Sequence, residues 1–272
     1  METQPNTNTA LITGASSGIG KALAKEFAAH GYDLILVAPH RNSLRTAREE
    51  IQAITDVDVW IYEKDLTLPD AVTELYEEVQ KLGRPITTLV NDAGIGQRGN
   101  FAEIPFSKYK EIIHLNILAL TELTHLFLNN MIAQNEGKIL QLGSVAGFQP
   151  GPYLAVYHAT KAYVVSLSEA IATELDELDS KVTITCLCPG PTETHFFSRA
   201  DMEKTRVVDK KDSLMKQPED VAKGAYEALM DGERIYIPGA TNKMMTFIRR
   251  VIPKSLQARM QKQFYEEVEE EK

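Results

Sequence analysis

The sequence predicts an α/β fold in which a doubly wound parallel sheet of about seven strands is covered by helices on both faces. Short apolar runs alternate with segments of helical periodicity along most of the 272 residues. Connections of helix length require neighbouring strands to be parallel, with right-handed crossovers. In addition, the first apolar run leads directly into a glycine-rich turn and a helix, which is typical of a phosphate-binding βα unit.

The strands are predicted from short apolar runs that are rich in β-branched residues. They cover residues 10–13, 34–38, 57–62, 88–91, 138–142, 182–188 and 234–237. The first helix is predicted over 21–30, and two long helices are predicted over 107–134 and 153–178. Ligands of such sheets bind beyond the carboxyl ends of the strands. Gly14, Asn91, Ser144 and Pro189 each follow a predicted strand, so we expect them to converge on one edge.

The turn after the first strand is Gly14-Ala15-Ser16-Ser17-Gly18-Ile19-Gly20. Glycines let the backbone turn sharply and approach a pyrophosphate, whose charge then faces the amides and the positive dipole end of the helix. The alternative is an ordinary glycine-rich turn, which the flanking strand and helix disfavour. The glycine spacing also differs from the common G-x-G-x-x-G fingerprint.

Composition limits the class of protein. A length of 272 residues with 43% hydrophobic residues suffices for one large domain, expected over 9–240. Residues 1–8 are polar and are expected to be a disordered lead, not a secretion signal. The net charge of -9 disfavours nucleic-acid partners, and we expect no metal site. Polar residues interrupt the apolar stretch 112–128, which therefore predicts a buried helix and no membrane span. Cys186 and Cys188 are expected to be buried and reduced, as in a cytoplasmic enzyme.

Four polar side chains have an order and spacing that suit proton delivery to a carbonyl: Asn116, Ser144, Tyr157 and Lys161. Tyr157 and Lys161 are four residues apart and share one helix face. Tyr157 can donate the proton, and Ser144 can stabilise negative charge on the carbonyl oxygen. Alcohol oxidation needs tyrosinate, so we expect the Lys161 ammonium to lower the pKa of Tyr157. Two structural alternatives stay open: Asn116 as an amide between helices and Ser144 as a turn hydroxyl.

Five motifs in this order resemble the short-chain dehydrogenase/reductase family. They are Thr13-Gly14-x-x-x-Gly18-x-Gly20, Asn91-Asp92-Ala93-Gly94, Asn116 with Ser144, Tyr157-x-x-x-Lys161 and Pro189-Gly190. The resemblance implies a Rossmann-type fold, a nicotinamide cofactor and oxidoreduction of the EC 1.1.1 type. It implies that Lys161 binds the nicotinamide ribose, that Asn116 holds a water of the proton path, and that the long helices form a homodimer or homotetramer. Asp92 departs from the usual Asn-Asn-Ala-Gly, which questions one structural hydrogen bond.

The cofactor is expected to be NADP(H) in preference to NAD(H). An acidic residue that would bind the adenosine ribose is absent after the second strand, and Arg41 suits a phosphate dianion. Pro39 departs from the arginine that is common there in NADP-dependent relatives, and Arg41 can alternatively be a solvated helix residue. The predicted cofactor residues are Gly14, Ser16, Ser17, Gly18, Ile19, Gly20, His40, Arg41, Asp65, Leu66, Asn91, Ala93, Gly94, Tyr157, Lys161, Pro189, Gly190, Thr192 and Thr194.

The substrate is expected to be a ketone or aldehyde with apolar bulk, under a mobile lid at 193–208. The predicted substrate residues are Gln149, Pro150, Tyr153, Phe196 and Phe197. Residues 241–272 form a predicted C-terminal extension, in which 243–262 holds six basic and no acidic residues. We expect its apolar face to pack on the substrate cleft or on a second subunit. An anionic membrane is disfavoured because the acidic residues at 266–271 would be repelled.

The leading prediction is therefore an NADP(H)-dependent carbonyl reductase or alcohol dehydrogenase. One alternative is a sensor or scaffold that binds NADP(H) without turnover, but such relatives usually lack the tyrosine or the lysine. Another is a sugar-nucleotide epimerase or dehydratase, which the glycine spacing disfavours. His158 and His195 are not expected to take part in proton transfer.

Overall fold

The computed structural model describes residues 8–209, 215–249 and 252–266, without the side chains of Val207, Asp209 and Arg249. Within these ranges, one parallel sheet forms the centre of the protein. Its strands are β1 (Thr9–Thr13), β2 (Asp33–Ala38), β3 (Val59–Glu63), β4 (Thr88–Asn91), β5 (Lys138–Leu142), β6 (Thr183–Leu187) and β7 (Ile235–Tyr236). The strand order is β3-β2-β1-β4-β5-β6-β7, so the winding reverses between β1 and β4. The predicted doubly wound fold is confirmed.

Helices cover both faces of this sheet. The described helices are α1 (Gly18–Ala29), α2 (Arg41–Gln52), α3 (Ala71–Gln80), α4 (Phe106–Ile113), α5 (Leu120–Gln134), α6 (Ala155–Glu177), α7 (Phe196–Arg199), α8 (Arg206–Asp209), α9 (Pro218–Met230), α10 (Ala240–Arg249) and α11 (Lys254–Tyr265). Ile12 packs with α1, α2 and α9 on one face, whereas its neighbour Leu11 packs with α3, α5 and α6 on the other. Burial on both faces explains why the strands are apolar without alternation.

The long helix predicted over 107–134 is two α-helices joined by a π-helical turn, His114–Ala119. Such turns recur at functional sites because they re-aim the side chains they contain, and this one contains Asn116. By length and composition, Phe106–Gln134 is the one helix among the described residues that could cross a membrane. However, Leu115, Leu123 and Phe127 bury one side of it against the sheet, as expected for a core helix.

The C-terminal helices α10 and α11 turn the opposite face inward from the one the sequence analysis expected. Thr246 on α10 and Gln257 and Gln261 on α11 are buried. Phe247 is 70% exposed and Met260 is 48% exposed. The inward residues find polar partners: Thr246 donates a hydrogen bond to the Asn242 carbonyl at 2.9 Å, and Gln257 donates one to the Ile252 carbonyl at 2.7 Å. Met245 lines a cavity, as expected of the apolar face, but most of that face is turned away from the protein's own cleft. Packing on a second subunit stays a prediction.

Candidate active site

A cavity of about 580 Å³ lies at the carboxyl edge of the sheet. The glycine turn, the end of β2 and the C-terminal helices all contribute to its wall. Sixteen predicted site residues lie in its wall: Gly14, Ser16, Ser17, Gly18, Ile19, His40, Ala93, Gly94, Ser144, Tyr157, Pro189, Gly190, Thr192, Thr194, Phe196 and Phe197. Residues from five strand ends therefore share one cavity, as the fold requires of such sheets.

The glycine turn forms a cradle that side chains would fill. Gly14 and Gly18 have φ angles of +71° and +56°, which glycine adopts without strain. A Cβ on Gly18 would lie 3.0 Å from Cγ2 of Thr194, so the turn passes close under that residue. Ser17 caps α1 without a side-chain cap hydrogen bond in the described structure. The first turn of α1 also holds no acidic residue. These features fit the pyrophosphate of a dinucleotide at a helix N-terminus.

Asp92 lies beneath this cradle. The Gly20 amide donates a hydrogen bond to its carboxylate, and a Cβ on Gly20 would come within 2.5 Å of Oδ2. Its other oxygen, Oδ1, is shielded from solvent and has no hydrogen-bond partner among the described residues. Burial raises the pKa of Asp92 to about 7, against the opposing pull of the Lys161 ammonium. The substitution of the family's asparagine therefore creates a buried titratable group.

Tyr157 and Lys161 lie one turn apart on α6, with Ser144 opposite. The Ser144 side chain lies near enough to the Tyr157 phenol to lower the pKa of that phenol, and the Tyr157 ring packs on Phe196 with 5.0 Å between centroids. Ser144 Oγ also accepts a hydrogen bond from the Ala146 amide at 3.1 Å. Ser144 is thus both a turn hydroxyl and a neighbour of the phenol, and the two sequence-based interpretations are compatible. Lys161 Nζ donates a hydrogen bond to the Leu142 carbonyl at 2.6 Å.

Burial shifts the pKa values of Tyr157 and Lys161 in opposite directions. Burial raises the pKa of Tyr157 above its usual value, and the neighbouring Ser144 side chain opposes this effect. Burial lowers the pKa of Lys161 to about 8, opposed mainly by the charge of Asp92. The lowered pKa expected for Tyr157 is therefore not produced by the protein's own groups, because desolvation outweighs the opposing effect of Ser144. A protonated phenol suits proton donation to a carbonyl.

Asn116 and Lys161 lie behind the cavity wall, next to Gly94. A Cβ on Gly94 would lie 3.4 Å from Asn116 Oδ1 and 3.5 Å from Lys161 Nζ. The Asn116 amide bonds both backbone groups of Ile95, at 3.0 and 2.9 Å, and also donates to Thr160 Oγ1 at 3.0 Å. Asn116 therefore joins the loop after β4 to α6, as the alternative of an interhelical amide proposed. The same bonds hold it beside the lysine.

Several predicted cofactor residues lie outside the cavity wall. Asn91 is buried within the sheet, where its amide donates to Thr124 and Gln141 at 3.1 Å each. Arg41 is exposed at the start of α2, and Asp65 is exposed and accepts two hydrogen bonds from Thr67. The remaining two are Leu66, which is buried in the core, and Gly20, which lies behind the turn. The sequence correctly placed these residues after their strands but could not tell which way each side chain faces.

The predicted substrate residues are divided between the cavity wall and the layer behind it. Phe196 and Phe197 line the cavity. Gln149, Pro150 and Tyr153 do not: Gln149 is buried with its carbonyl accepting from His158, and Tyr153 packs against the aromatic cluster from behind. Apolar wall residues that the sequence analysis missed are Leu154, Phe264 and Tyr265. Two further apolar wall residues lie in predicted segments: Met202 in the lid, and Met245 in the segment expected to pack on the cleft. The four-residue spacing of Gln257, Gln261 and Tyr265 was the available signal, because it marks one face of α11.

A sequence model of the family described as short chain dehydrogenase matches residues 8–205. The chain belongs to the short-chain dehydrogenase family. It is 28% identical over 234 residues to a 7beta-hydroxysteroid dehydrogenase of Clostridium sardiniense, covering 86% of each chain. It is 32% identical over 211 residues to the 17-beta-hydroxysteroid dehydrogenase type 3 of Mus musculus, covering 75% of this chain and 67% of the relative.

A solved short-chain dehydrogenase from Sphingobium yanoikuyae, in complex with NADPH, has the same fold. It superposes with a TM-score of 0.78 and 29% identity, covering 93% of this chain and 98% of that one. With the family established, the protein is an oxidoreductase of the EC 1.1.1 type that uses a nicotinamide cofactor and a small-molecule substrate.

Proposed function

We propose that this short-chain dehydrogenase transfers hydride between NADP(H) and the carbonyl or secondary alcohol of an apolar substrate, with Tyr157 as the proton donor and acceptor. The observation that carries the proposal is that Tyr157 and Ser144 lie in the wall of one cavity together with the glycine cradle. A bound nicotinamide would supply the hydride. The residues of the chain supply the proton and stabilise charge on the substrate oxygen.

Each of the four predicted catalytic residues has a distinct task in this proposal. Tyr157 gives its proton to the carbonyl oxygen during reduction, which its raised pKa favours because the phenol stays protonated. Ser144 donates a hydrogen bond to the same oxygen as charge develops there. Lys161 stabilises the tyrosinate that remains, and it also holds the ribose. Asn116 holds the loop after β4 against α6, next to Lys161, through its hydrogen bonds to Ile95 and Thr160.

Preference for NADP(H) rests on the end of β2. Pro39 and His40 line the cavity there, and Arg41 follows at the first turn of α2. His40 and Arg41 would hold the 2′-phosphate, because a guanidinium suits a phosphate dianion. The α2 N-terminus adds little to this, since the Arg41 backbone amide donates a hydrogen bond to Glu63 Oε1 at 3.2 Å. The Arg41 side chain is exposed at the start of α2, so a change of rotamer would bring its guanidinium to the 2′-phosphate. Arg41→Ala should then raise the KM for NADPH by about tenfold and leave the KM for NADH unchanged.

The substrate class follows from the rest of the cavity wall. Leu154, Phe197, Met202 and Phe264 give it an apolar surface, which favours a ketone or alcohol with apolar bulk. Two relatives are named as hydroxysteroid dehydrogenases, and a steroid-like or acyl-chain-like ketone fits the same chemistry. Residues 193–208 act as a lid in this proposal, because Phe196 and Phe197 close the cavity from that segment.

We also propose residues 9–240 as a single catalytic domain in the cytoplasm, where the buried free thiols Cys186 and Cys188 stay reduced. Self-association would use the helical face that exposes Ile113, Leu118 and Ile132, giving a homodimer or homotetramer.

The decisive experiment is a panel of bulky ketones and alcohols assayed with NADPH and NADH, run beside Tyr157→Phe. We expect turnover by the wild type, and a variant that binds NADPH with unchanged affinity but loses at least about a thousandfold in kcat. Unchanged turnover by the variant would remove Tyr157 from the mechanism. NADPH binding without turnover by the wild type across the panel would favour the alternative of a non-catalytic sensor or scaffold.

A further inference from the structure

The outer faces of the two C-terminal helices are apolar and basic. On α10, Met244, Phe247 and Ile248 are 58%, 70% and 42% exposed. On α11, Leu256 and Met260 are each 48% exposed. These spacings of three and four residues put the apolar side chains of each helix on one side. We call these five residues the outer apolar residues. A folded protein rarely turns whole apolar helix faces to water unless something covers them.

The inner faces of α10 and α11 are buried against the rest of the protein. Thr246 is 3% exposed on α10, while Gln257 and Gln261 are 7% and 8% exposed on α11. Met245, Gln261 and Phe264 line the cavity from this side. The helices therefore cannot bury their apolar faces by rotating without opening the cavity wall and breaking the contact between Tyr265 and His158. Among the residues that the structure describes, none covers the outer apolar residues.

The positive charge of α10 and α11 indicates what kind of surface would cover their outer faces. Residues 243–262 contain six of the chain's 29 basic residues and none of its 38 acidic residues. Lys243, Lys254, Arg259 and Lys262 are exposed beside the outer apolar residues. The protein as a whole carries a charge of -9 and has acidic residues at 266–271, which is why the sequence alone disfavoured an anionic membrane. In the structure, Glu266 pairs with Lys262 at 3.5 Å, whereas Lys243, Lys254 and Arg259 are exposed on helices whose apolar residues face outward. Screening beyond about 8 Å at physiological salt limits the effect of more distant acidic residues. Apolar residues flanked by lysine and arginine are typical of helices that lie in the surface of an anionic bilayer.

A second copy of the chain fits these faces less well. A two-fold contact through them would bring the same cations of both copies together. The exposed residues Ile113, Leu118 and Ile132 of the helix Phe106–Gln134 provide a separate apolar face for self-association. We therefore propose that α10 and α11 bind peripherally to an anionic lipid surface through the outer apolar residues and the adjacent cations. This binding brings the apolar wall of the substrate cavity next to the bilayer.

Co-sedimentation of the full chain with vesicles tests the proposal without any turnover. One set of vesicles contains only phosphatidylcholine, and the other also contains phosphatidylglycerol. We expect binding to the second set, weakened when salt is raised, because the attraction to the lipid is electrostatic in part. Phe247→Ser and Met260→Ser should each weaken binding by about fivefold through lost apolar burial. Lys243→Gln combined with Lys254→Gln should weaken it by about tenfold or more.

Matched controls come from other surfaces of the protein. Ile54 is 67% exposed, as Phe247 is at 70%, and Ile54→Ser should leave binding unchanged. Lys81→Gln combined with Lys181→Gln removes two exposed cations elsewhere, and this variant should bind vesicles as the wild type does. Light scattering on every variant reports the oligomeric state. Absence of wild-type binding to phosphatidylglycerol vesicles overturns the proposal. Equal losses in the controls, or variants that change only the oligomeric mass, also overturn it.

Discussion

Tyr265, the last residue of α11, places its hydroxyl 3.0 Å from Nε2 of His158, the residue next to Tyr157. His158 Nδ1 lies 2.8 Å from the Gln149 carbonyl. A carbonyl can only accept, so Nδ1 carries a proton and donates a hydrogen bond to Gln149, while Nε2 pairs with the Tyr265 hydroxyl. Gly151 makes room for this arrangement, because a Cβ there would collide with the His158 ring. His158 is therefore a structural residue that ties the C-terminal helix to the active site.

Removing the Tyr265 hydroxyl tests this connection. Tyr265→Phe keeps the ring in the cavity wall but leaves His158 Nε2 without this partner. We expect the free energy of unfolding in urea to fall by about 1 kcal/mol. The KM for a bulky ketone should rise several-fold while the KM for NADPH stays constant. Tyr76→Phe is the matched control, since Tyr76 accepts a hydrogen bond from Asn130 at 2.8 Å away from the cavity. A similar rise in the ketone KM in this control would contradict the prediction.

The close packing under the glycine turn predicts a steric effect at Gly20. A Cβ there would lie 2.5 Å from Asp92 Oδ2 and 2.7 Å from the Gly14 carbonyl. Gly20→Ala must therefore displace the turn, which should lower the free energy of unfolding by about 2 kcal/mol and weaken NADPH binding at least about tenfold.

Gly31→Ala provides the comparison for Gly20→Ala. Gly31 has a φ angle of +78° and open space around its Cβ position, so alanine there costs about 1 kcal/mol of backbone strain. NADPH affinity, measured by fluorescence titration, should not change. If both variants bind NADPH equally well, Gly20 is not needed for the cradle.

The Asp92 and Lys161 pair predicts the pH dependence of reduction. Lys161 has a pKa lowered to about 8 by burial, so its ammonium, and with it kcat/KM, is lost as pH rises through about 8. Above pH 7 the Asp92 carboxylate is charged and raises the pKa of Lys161. Asp92→Asn removes that charge, so the alkaline fall in kcat/KM should move to lower pH by roughly one pH unit. Asp65→Asn, which changes an exposed carboxylate, should leave the profile in place. A shift in the alkaline direction would refute the assignment.

Asp92 also predicts a pH-dependent stability. Its folded pKa of about 7 lies above the ordinary 3.8, so the folded protein binds this proton more tightly than the unfolded chain does. The resulting stabilisation is fully present below the unfolded pKa and is lost as pH rises through about 7. Relative to the wild type, Asp92→Asn should therefore gain about 2 kcal/mol in free energy of unfolding between pH 5 and pH 8. Urea unfolding at both pH values measures this change. A constant difference would show that the carboxylate is ionised throughout.

The sequence alone determined the layers of the fold and the centre of the site. Short apolar runs predicted all seven strands, and the seventh is shorter than expected, at two residues. Local spacing put Tyr157 and Lys161 on one face of α6, and the parallel sheet brought Gly14, Ser144 and Pro189 to one edge. These features depend on backbone geometry over a few residues, or on a rule that holds for every parallel sheet.

Only the tertiary structure decided which partners the remaining side chains have. Asp65 follows β3 and Asn91 ends β4, yet the first faces solvent and the second the sheet interior. The π-helical turn at Asn116 and the buried Asp92 have no local signal. Periodicity predicted that α10 and α11 are amphipathic but could not say which face is buried. That choice depends on contacts such as the one between His158 and Tyr265, which are 107 residues apart. Such contacts form only when the whole chain has folded.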